Sequence, residues 1–121
     1  MKALVFNRYG GPDQVAFADI PRPAFKPDEL LVQVHAAGHN PIDNMIPKGT
    51  FKPILRFELP ATLGSDLAGT VVEVGSRVTR FKPGDAVFAS ILDLDAGGAL
   101  AEFARVPESV AAHKPGNLDF V

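Results

Sequence analysis

Proline and glycine punctuate this chain at short intervals from end to end, and that spacing constrains its fold more than any other feature. Eleven glycines and eleven prolines occur in 121 residues, well above their average combined use of roughly 12%, and no single linker collects them. Between the breaks lie short segments rich in Val, Phe and Ala: Lys2 to Phe6, Val15 to Asp19, Leu30 to Ala36, Leu67 to Val74, Ala86 to Ser90, Leu100 to Val106 and Val110 to His113. Segments of this length and composition read as strands and leave no room for long helices.

The patterning inside the segments agrees. Leu30, Val32 and Val34 alternate with Gln33 and His35, which puts the apolar residues on one face of a half-buried strand. Thr70 to Val74 reads similarly. Lys82-Pro83-Gly84-Asp85 fits a type II turn, because proline presets φ at the second position and glycine tolerates a positive φ at the third. One stretch has helical character: Asn40 as cap, Pro41 in the first turn, and Ile42, Met45 and Ile46 on one apolar face. Pro47 and Gly49 end it quickly. Many short strands with tight turns argue for a closed or nearly closed antiparallel barrel, since closure removes exposed strand edges. Pro21 to Pro27 reads as an edge crossing and Lys48 to Pro60 as a long excursion that covers something.

Length and charge narrow the function classes. A chain of 121 residues fits one domain with one core, not two. The formal net charge is −2 with no run of like charge longer than two residues, so nothing favours nucleic acid or a membrane surface. No apolar stretch approaches the roughly 20 residues that span a bilayer, and the N-terminus turns polar too soon for a signal peptide. The expectation is a cytoplasmic protein. The absence of cysteine removes disulfides, thiolate chemistry and cysteine-ligated zinc.

Three kinds of chemistry can be tested on the residues themselves. Gly64-Ser65-Asp66-Leu67-Ala68-Gly69 lacks the second glycine of the dinucleotide fingerprint and precedes a strand instead of opening a helix, so the chain carries no nucleotide-binding unit of its own. His39, Asp43 and Asp66 are candidate metal ligands. Only His39 and Asp43 share a helical spacing, and the competing reading is a capping or surface histidine beside a helix-terminal aspartate. None of Ser65, Ser76, Ser90 and Ser109 sits in a nucleophile elbow, and His113 reads as structural or exposed.

Several motifs occur together in a familiar order. They are Ala36-Ala37-Gly38-His39-Asn40-Pro41-Ile42-Asp43, Leu63-Gly64-Ser65-Asp66-Leu67-Ala68-Gly69-Thr70-Val71, Val74-Gly75, Phe81-Lys82-Pro83-Gly84-Asp85-Ala86-Val87-Phe88 and Gly98-Ala99-Leu100-Ala101-Glu102-Phe103. With the opening Met-Lys-Ala-Leu-Val-Phe, Gly10-Gly11-Pro12 and Lys114-Pro115-Gly116-Asn117-Leu118, they cover essentially the whole chain. In this the sequence resembles the N-terminal catalytic domain of the medium-chain dehydrogenase/reductases, in particular their zinc-independent quinone oxidoreductase branch. The resemblance implies a mainly β fold, a GroES-like, partly open β-barrel with one or two short helices over residues 1–121. It also implies truncation before a Rossmann domain, in an enzyme two to three times this length.

Zinc-dependent members carry cysteine at the position of Asn40 and histidine at that of Ser65. Asparagine and serine are poor zinc ligands, so the resemblance implies NADPH as cofactor and no zinc. A quinone or α,β-unsaturated ketone then suits the chemistry, because conjugate addition of hydride delocalises charge onto oxygen and asks less of an electrophile. The resemblance assigns Asn40 an orienting role at the nicotinamide, where its amide can donate to the carboxamide or to substrate oxygen. It assigns Asp43 a supporting role, Met45 a place beside the cofactor, and Ser65, Asp66 and Phe51 places in the substrate cleft. Met45 stands where a tyrosine is frequent and His39 where a small apolar residue is usual, which implies a less polar pocket with one extra titratable group.

The leading expectation is therefore a catalytic-domain fragment of an NADPH-dependent quinone or enone oxidoreductase, inactive alone. The alternative is a free-standing GroES-like barrel acting as an interaction or assembly module through the apolar tip of Lys48 to Pro60. Either way, open edges and exposed apolar surface imply a homo-oligomer.

Overall fold

The short segments between glycines and prolines form eight strands in the computed structural model, which describes residues 1–6, 8–40, 47, 61–91 and 98–120. These are β1 (Lys2–Phe6), β2 (Val15–Asp19), β3 (Glu29–Gly38), β4 (Ala61–Thr62), β5 (Asp66–Val74), β6 (Ala86–Ser90), β7 (Phe103–Pro107) and β8 (Ala111–His113). Single 3₁₀ turns form at Pro12–Gln14 and Glu108–Val110. The expected helix from Pro41 and the excursion from Lys48 to Pro60 lie outside the described residues.

The strands make two antiparallel sheets, one ordered β2-β1-β4 and the other β7-β3-β5-β6-β8. Neither closes on itself, so the fold is mainly β and partly open. Two connecting stretches join them. Leu63 N–H donates to Leu4 O at 2.9 Å, Leu4 N–H to Leu100 O at 2.8 Å, and Leu100 N–H to Leu63 O at 2.9 Å. Glu102 reaches both sheets, its N–H donating to Lys2 O at 3.0 Å while its carbonyl accepts from Val34 N–H at 2.9 Å.

The expected strand Leu100 to Val106 is thus divided. Its first residues bridge the sheets, with Ala101 paired to Ala3, and β7 begins only at Phe103.

Alternation along β5 is clear at Leu67, Gly69 and Val71, buried in turn, while in the expected Thr70 to Val74 only Val71 is buried and Val72 and Val74 are half-buried. Along β3 it holds only in part, because Leu31 is as sealed as Leu30 and Val32. The reason lies in the crossing segment 20–26. Glu29, Leu31 and Gln33 share a face with their β7 partners Pro107, Arg105 and Phe103, and the Arg22 guanidinium lies 3.9 Å from the Phe103 ring centroid. The crossing therefore covers the second face of β3's first half.

The main core lies on the opposite face. Leu30, Val32, Leu67, Val71, Val87 and Val106 pack there with Phe81 closing one end. Burying each such side chain contributes about 1.5–3 kcal/mol. A smaller cluster of Phe6, Ala61 and Leu63 fills the three-stranded sheet.

The turn before β6 has the expected form: Gly84 sits at φ +95°, Asp85 N–H donates to Lys82 O at 3.2 Å, and Lys82 N–H donates to the Asp85 carboxylate at 3.0 Å. No side chain crowds Gly84, so the positive φ alone selects glycine there.

Candidate functional site

The polar residues singled out from sequence converge where β3 ends and β5 begins. Antiparallel register sets Gly38 opposite Asp66, and on the other side of β5 sets Asp66 opposite Ser90. Asp66 is thereby held on an interior strand. Two residues beyond Gly38, the half-buried Asn40 turns its Nδ2 onto Asp66 Oδ2 at 2.6 Å. That is a short, charge-assisted hydrogen bond, of the kind about twice as strong as a neutral one. A Cβ at Gly38 would make only ordinary contact with Asp66, 3.4 Å from its Cβ.

Ser65 adjoins this pair and is 4% exposed, its carbonyl accepting from Ile91 N–H at 2.7 Å. The structure therefore brings together Asn40 and Asp66, with Ser65 buried as the residue before Asp66. Asp43, Met45 and Phe51 lie outside the described residues. Gly38 and Ser90 flank Asp66, a placement that only the strand register reveals: from sequence Gly38 entered as part of a motif and Ser90 only as a nucleophile set aside.

The glycine-rich run in this region has a packing role. Gly69 lies on β5 opposite Val34, and a Cβ on it would fall 2.1 Å from Gln33 O and 2.8 Å from Val32 Cγ1. Close passage of two strands requires glycine there, and no phosphate cradle is formed.

The histidines divide as their positions suggest. His39 is exposed beside Asn40. His35, on the outer face of β3, shares a 2.9 Å hydrogen bond with Thr70 Oγ1, and its ring lies 4.5 Å from that of Phe120. His113 is exposed, its ring 4.5 Å from Phe81 and its Nε2 3.2 Å from Arg80 O. Among the described residues, no three His, Asp or Glu side chains cluster as a metal site. No helix among them is long and apolar enough to cross a membrane.

A separate open cleft of about 360 Å³ runs between β1, β2 and β3. Leu4, Phe17, Val34, Ala36 and Leu100 line it with Lys2 at its rim. It is apolar, does not include Asn40 or Asp66, and leaves Phe17 82% exposed on the edge strand β2.

With this geometry in hand, the comparisons are specific. The model of the alcohol dehydrogenase GroES-like domain matches residues 26–116. A quinone-oxidoreductase homolog from Spinacia oleracea is 43% identical over 95% of this chain. An NADPH-dependent alkenal/one oxidoreductase from Arabidopsis thaliana is 40% identical over 99% of it. The chain spans only 35% and 32% of those two proteins.

Among solved structures, the quinone oxidoreductase from Coxiella burnetii superposes with a TM-score of 0.89 at 31% identity, over 100% of this chain and 39% of its own. The Escherichia coli quinone oxidoreductase complexed with NADPH does so with a TM-score of 0.87 at 31% identity, over 99% and 35%. The family model's match over residues 26–116, three quarters of the chain, together with these likenesses, leads to one conclusion: the chain belongs to the alcohol dehydrogenase GroES-like domain family.

Proposed function

We propose that this chain is the N-terminal catalytic-domain portion of an NADPH-dependent oxidoreductase that reduces a quinone or an enone, and that it turns over nothing alone. One observation carries the reading: nearly all of the chain aligns with about a third of longer quinone and alkenal/one oxidoreductases, one structural relative of which was solved with NADPH.

The residues present suit one end of such a cofactor. A half-buried amide held by a carboxylate matches a nicotinamide carboxamide in hydrogen-bonding character, whereas Gly64 to Gly69 packs strands and offers no cradle for phosphates. We place the phosphate-binding domain in the remaining length that the relatives have.

In this reading NADPH supplies the hydride. Asn40 orients the nicotinamide end, with Asp43 supporting the turn beneath it and Met45 beside the cofactor. Ser65, Asp66 and Phe51 wall the substrate cleft. Asparagine and serine give zinc no adequate ligand set, which suits an acceptor whose charge delocalises without a Lewis acid.

The test joins this chain to the remaining two thirds of the Spinacia oleracea relative and follows NADPH oxidation with a para-quinone and with an enone. The fused protein is expected to oxidise NADPH only when an acceptor is present, and the 121-residue chain alone not at all. Turnover by the isolated chain, or a folded fusion that binds NADPH yet reduces neither acceptor, overturns the proposal.

A further inference from the structure

We infer that the outer edge of β2 is an interface between two copies of this chain, paired antiparallel about a two-fold axis at Phe17, so that their three-stranded sheets join into one. The pairing is independent of the proposed function, since it uses neither Asn40 nor Asp66.

The main chain of β1 decides what that edge offers. Leu4 N–H donates to Leu100 O, Leu4 O accepts from Leu63 N–H, and Lys2 O accepts from Glu102 N–H. Lys2 and Leu4 thus turn their backbone groups away from β2. Met1 does the opposite, donating to Ile20 O at 2.6 Å and accepting from Ile20 N–H at 2.8 Å. Residues of the two kinds alternate along an antiparallel pair, and two opposed residues are of the same kind. Lys2 stands opposite Asp19, Leu4 opposite Phe17 and Phe6 opposite Val15. Val15, Phe17 and Asp19 therefore direct their N–H and C=O groups outward.

Nothing described covers or blunts this edge. Among the described residues β2 pairs with β1 alone, and Phe17 is 82% exposed. Natural edges carry Pro, Lys or a bulge against stray pairing. Val15–Asp19 contains neither residue, and its register with β1 runs without a shift.

Three outward residues with Phe17 in the middle are self-complementary. A two-fold axis there sets Phe17 against Phe17 of the partner subunit and Val15 against Asp19 of the partner subunit, and each such pair exchanges two N–H···O bonds. Moving the axis to Ala16 or Ala18 loses one of the three pairs, and an axis at Asp19 sets two carboxylates face to face. With the axis at Phe17, each Asp19 meets a valine across the interface and has Lys2 opposite it in its own chain. Phe17 also shares a face with Leu4, and both line the apolar cleft. The two Phe17 rings then stand side by side between the mouths of two clefts, as a cross-strand aromatic pair. Five residues of edge fall well short of a standard interface of about 1,600 Å², so the dimer is weak and forms with rising concentration.

The chain has no cysteine, so single introduced thiols report the register. A mixture of Val15→Cys and Asp19→Cys should give a covalent dimer under mild oxidation. Either variant alone should stay unlinked, because its own copies lie four residues out of register, beyond the roughly 7 Å of Cα separation that a disulfide bridges. No disulfide from the mixture, or as much from one variant alone, overturns the proposal.

Sedimentation equilibrium of the unaltered chain, from micromolar to millimolar, should show the mass rising from monomer toward dimer. Asp19→Pro removes an outward donor and no bond to β1. It should raise the dimer Kd about tenfold, for two donors lost per dimer, with an unchanged circular dichroism spectrum. A mass that stays monomeric throughout overturns the proposal and leaves the edge to a strand of some other protein, and a folded Asp19→Pro with the wild-type Kd overturns it in favour of another surface.

Discussion

Glu29 opens β3 in a position where a carboxylate is rarely found, only 3% exposed, and its removal is expected to be among the most costly polar substitutions in the chain. Its Oε1 accepts from Lys26 N–H at 2.8 Å and from Arg105 Nη1 at 3.2 Å, while its own carbonyl accepts from Gly75 N–H at 2.9 Å. One residue therefore ties the crossing segment, β7 and the turn after β5 to the start of β3. Truncating one partner of a fully sealed ion pair costs about 3–5 kcal/mol. The Arg105 side chain is 18% exposed and can be rehydrated when Glu29 is lost, so Glu29→Ala is expected to cost less, about 2–3 kcal/mol. Glu29→Gln keeps an acceptor for Lys26 N–H and loses only the charge, at about 1 kcal/mol. With a urea slope of about 1.5 kcal/mol per molar, circular dichroism should show the midpoint of Glu29→Ala lowered by roughly 1.5 M and that of Glu29→Gln by less than half as much. Equal losses for the two variants, or a shift for Glu29→Ala within experimental scatter, would refute the reasoning.

Two further outcomes follow from surface features. Glu108 accepts from Thr79 N–H at 2.9 Å and Arg80 N–H at 2.8 Å. The Arg80 backbone bond, then the Thr79 bond, hold its carboxyl below the ordinary value of 4.5. A depressed carboxylate stabilises the fold above its unfolded pKa, and that contribution disappears as pH falls through the folded value. The stability advantage of wild type over Glu108→Gln should therefore be constant from neutrality down to about pH 4.5 and shrink below it in urea titrations; an advantage that grows on acidification contradicts the assignment. Phe17, exposed on the edge strand β2 beside the apolar cleft, should drive self-association. Phe17→Ser is expected to lower the concentration-dependent mass in light scattering without lowering the urea midpoint, and an identical mass profile for the two proteins would remove that role.

The strands were legible where a turn residue stands at each end. Gly10, Gly11 and Pro12 before β2 and Gly84 before β6 are such cases, and the expected bounds of β1, β2 and β6 coincide with those observed. Ala61–Thr62 was not legible, since two residues carry no periodicity and their pairing to Val5 and Phe6 is visible only in three dimensions. Nor was the division of Leu100 to Val106, whose apolar pattern is continuous while its hydrogen bonds change sheets at Glu102. Burial of Leu31 depends on a crossing segment whose course no local pattern encodes. At the site, the resemblance pointed to Asn40, Ser65 and Asp66 separately. The contact between Asn40 and Asp66 depends on the register Gly38 to Asp66, which places residues far apart in sequence side by side.

That register also explains how one strand serves two purposes. The first half of β3 is sealed on both faces, by the core on Leu30 and Val32 and by the crossing on Glu29 and Leu31. Its second half opens, with Gln33, His35 and Gly38 exposed, and hands the chain to Asn40. Ten residues of strand extend about 30 Å, so Glu29 at one end of β3 and Asn40 just past the other lie beyond the range over which substitutions ordinarily couple. The buried end supplies stability and holds the strand in place; beyond the open end, Asn40 donates to the Asp66 carboxylate of the neighbouring strand. A corner built in this way takes its geometry from the register of the sheet, which sets Gly38 opposite Asp66 and so brings Asn40 within reach of it.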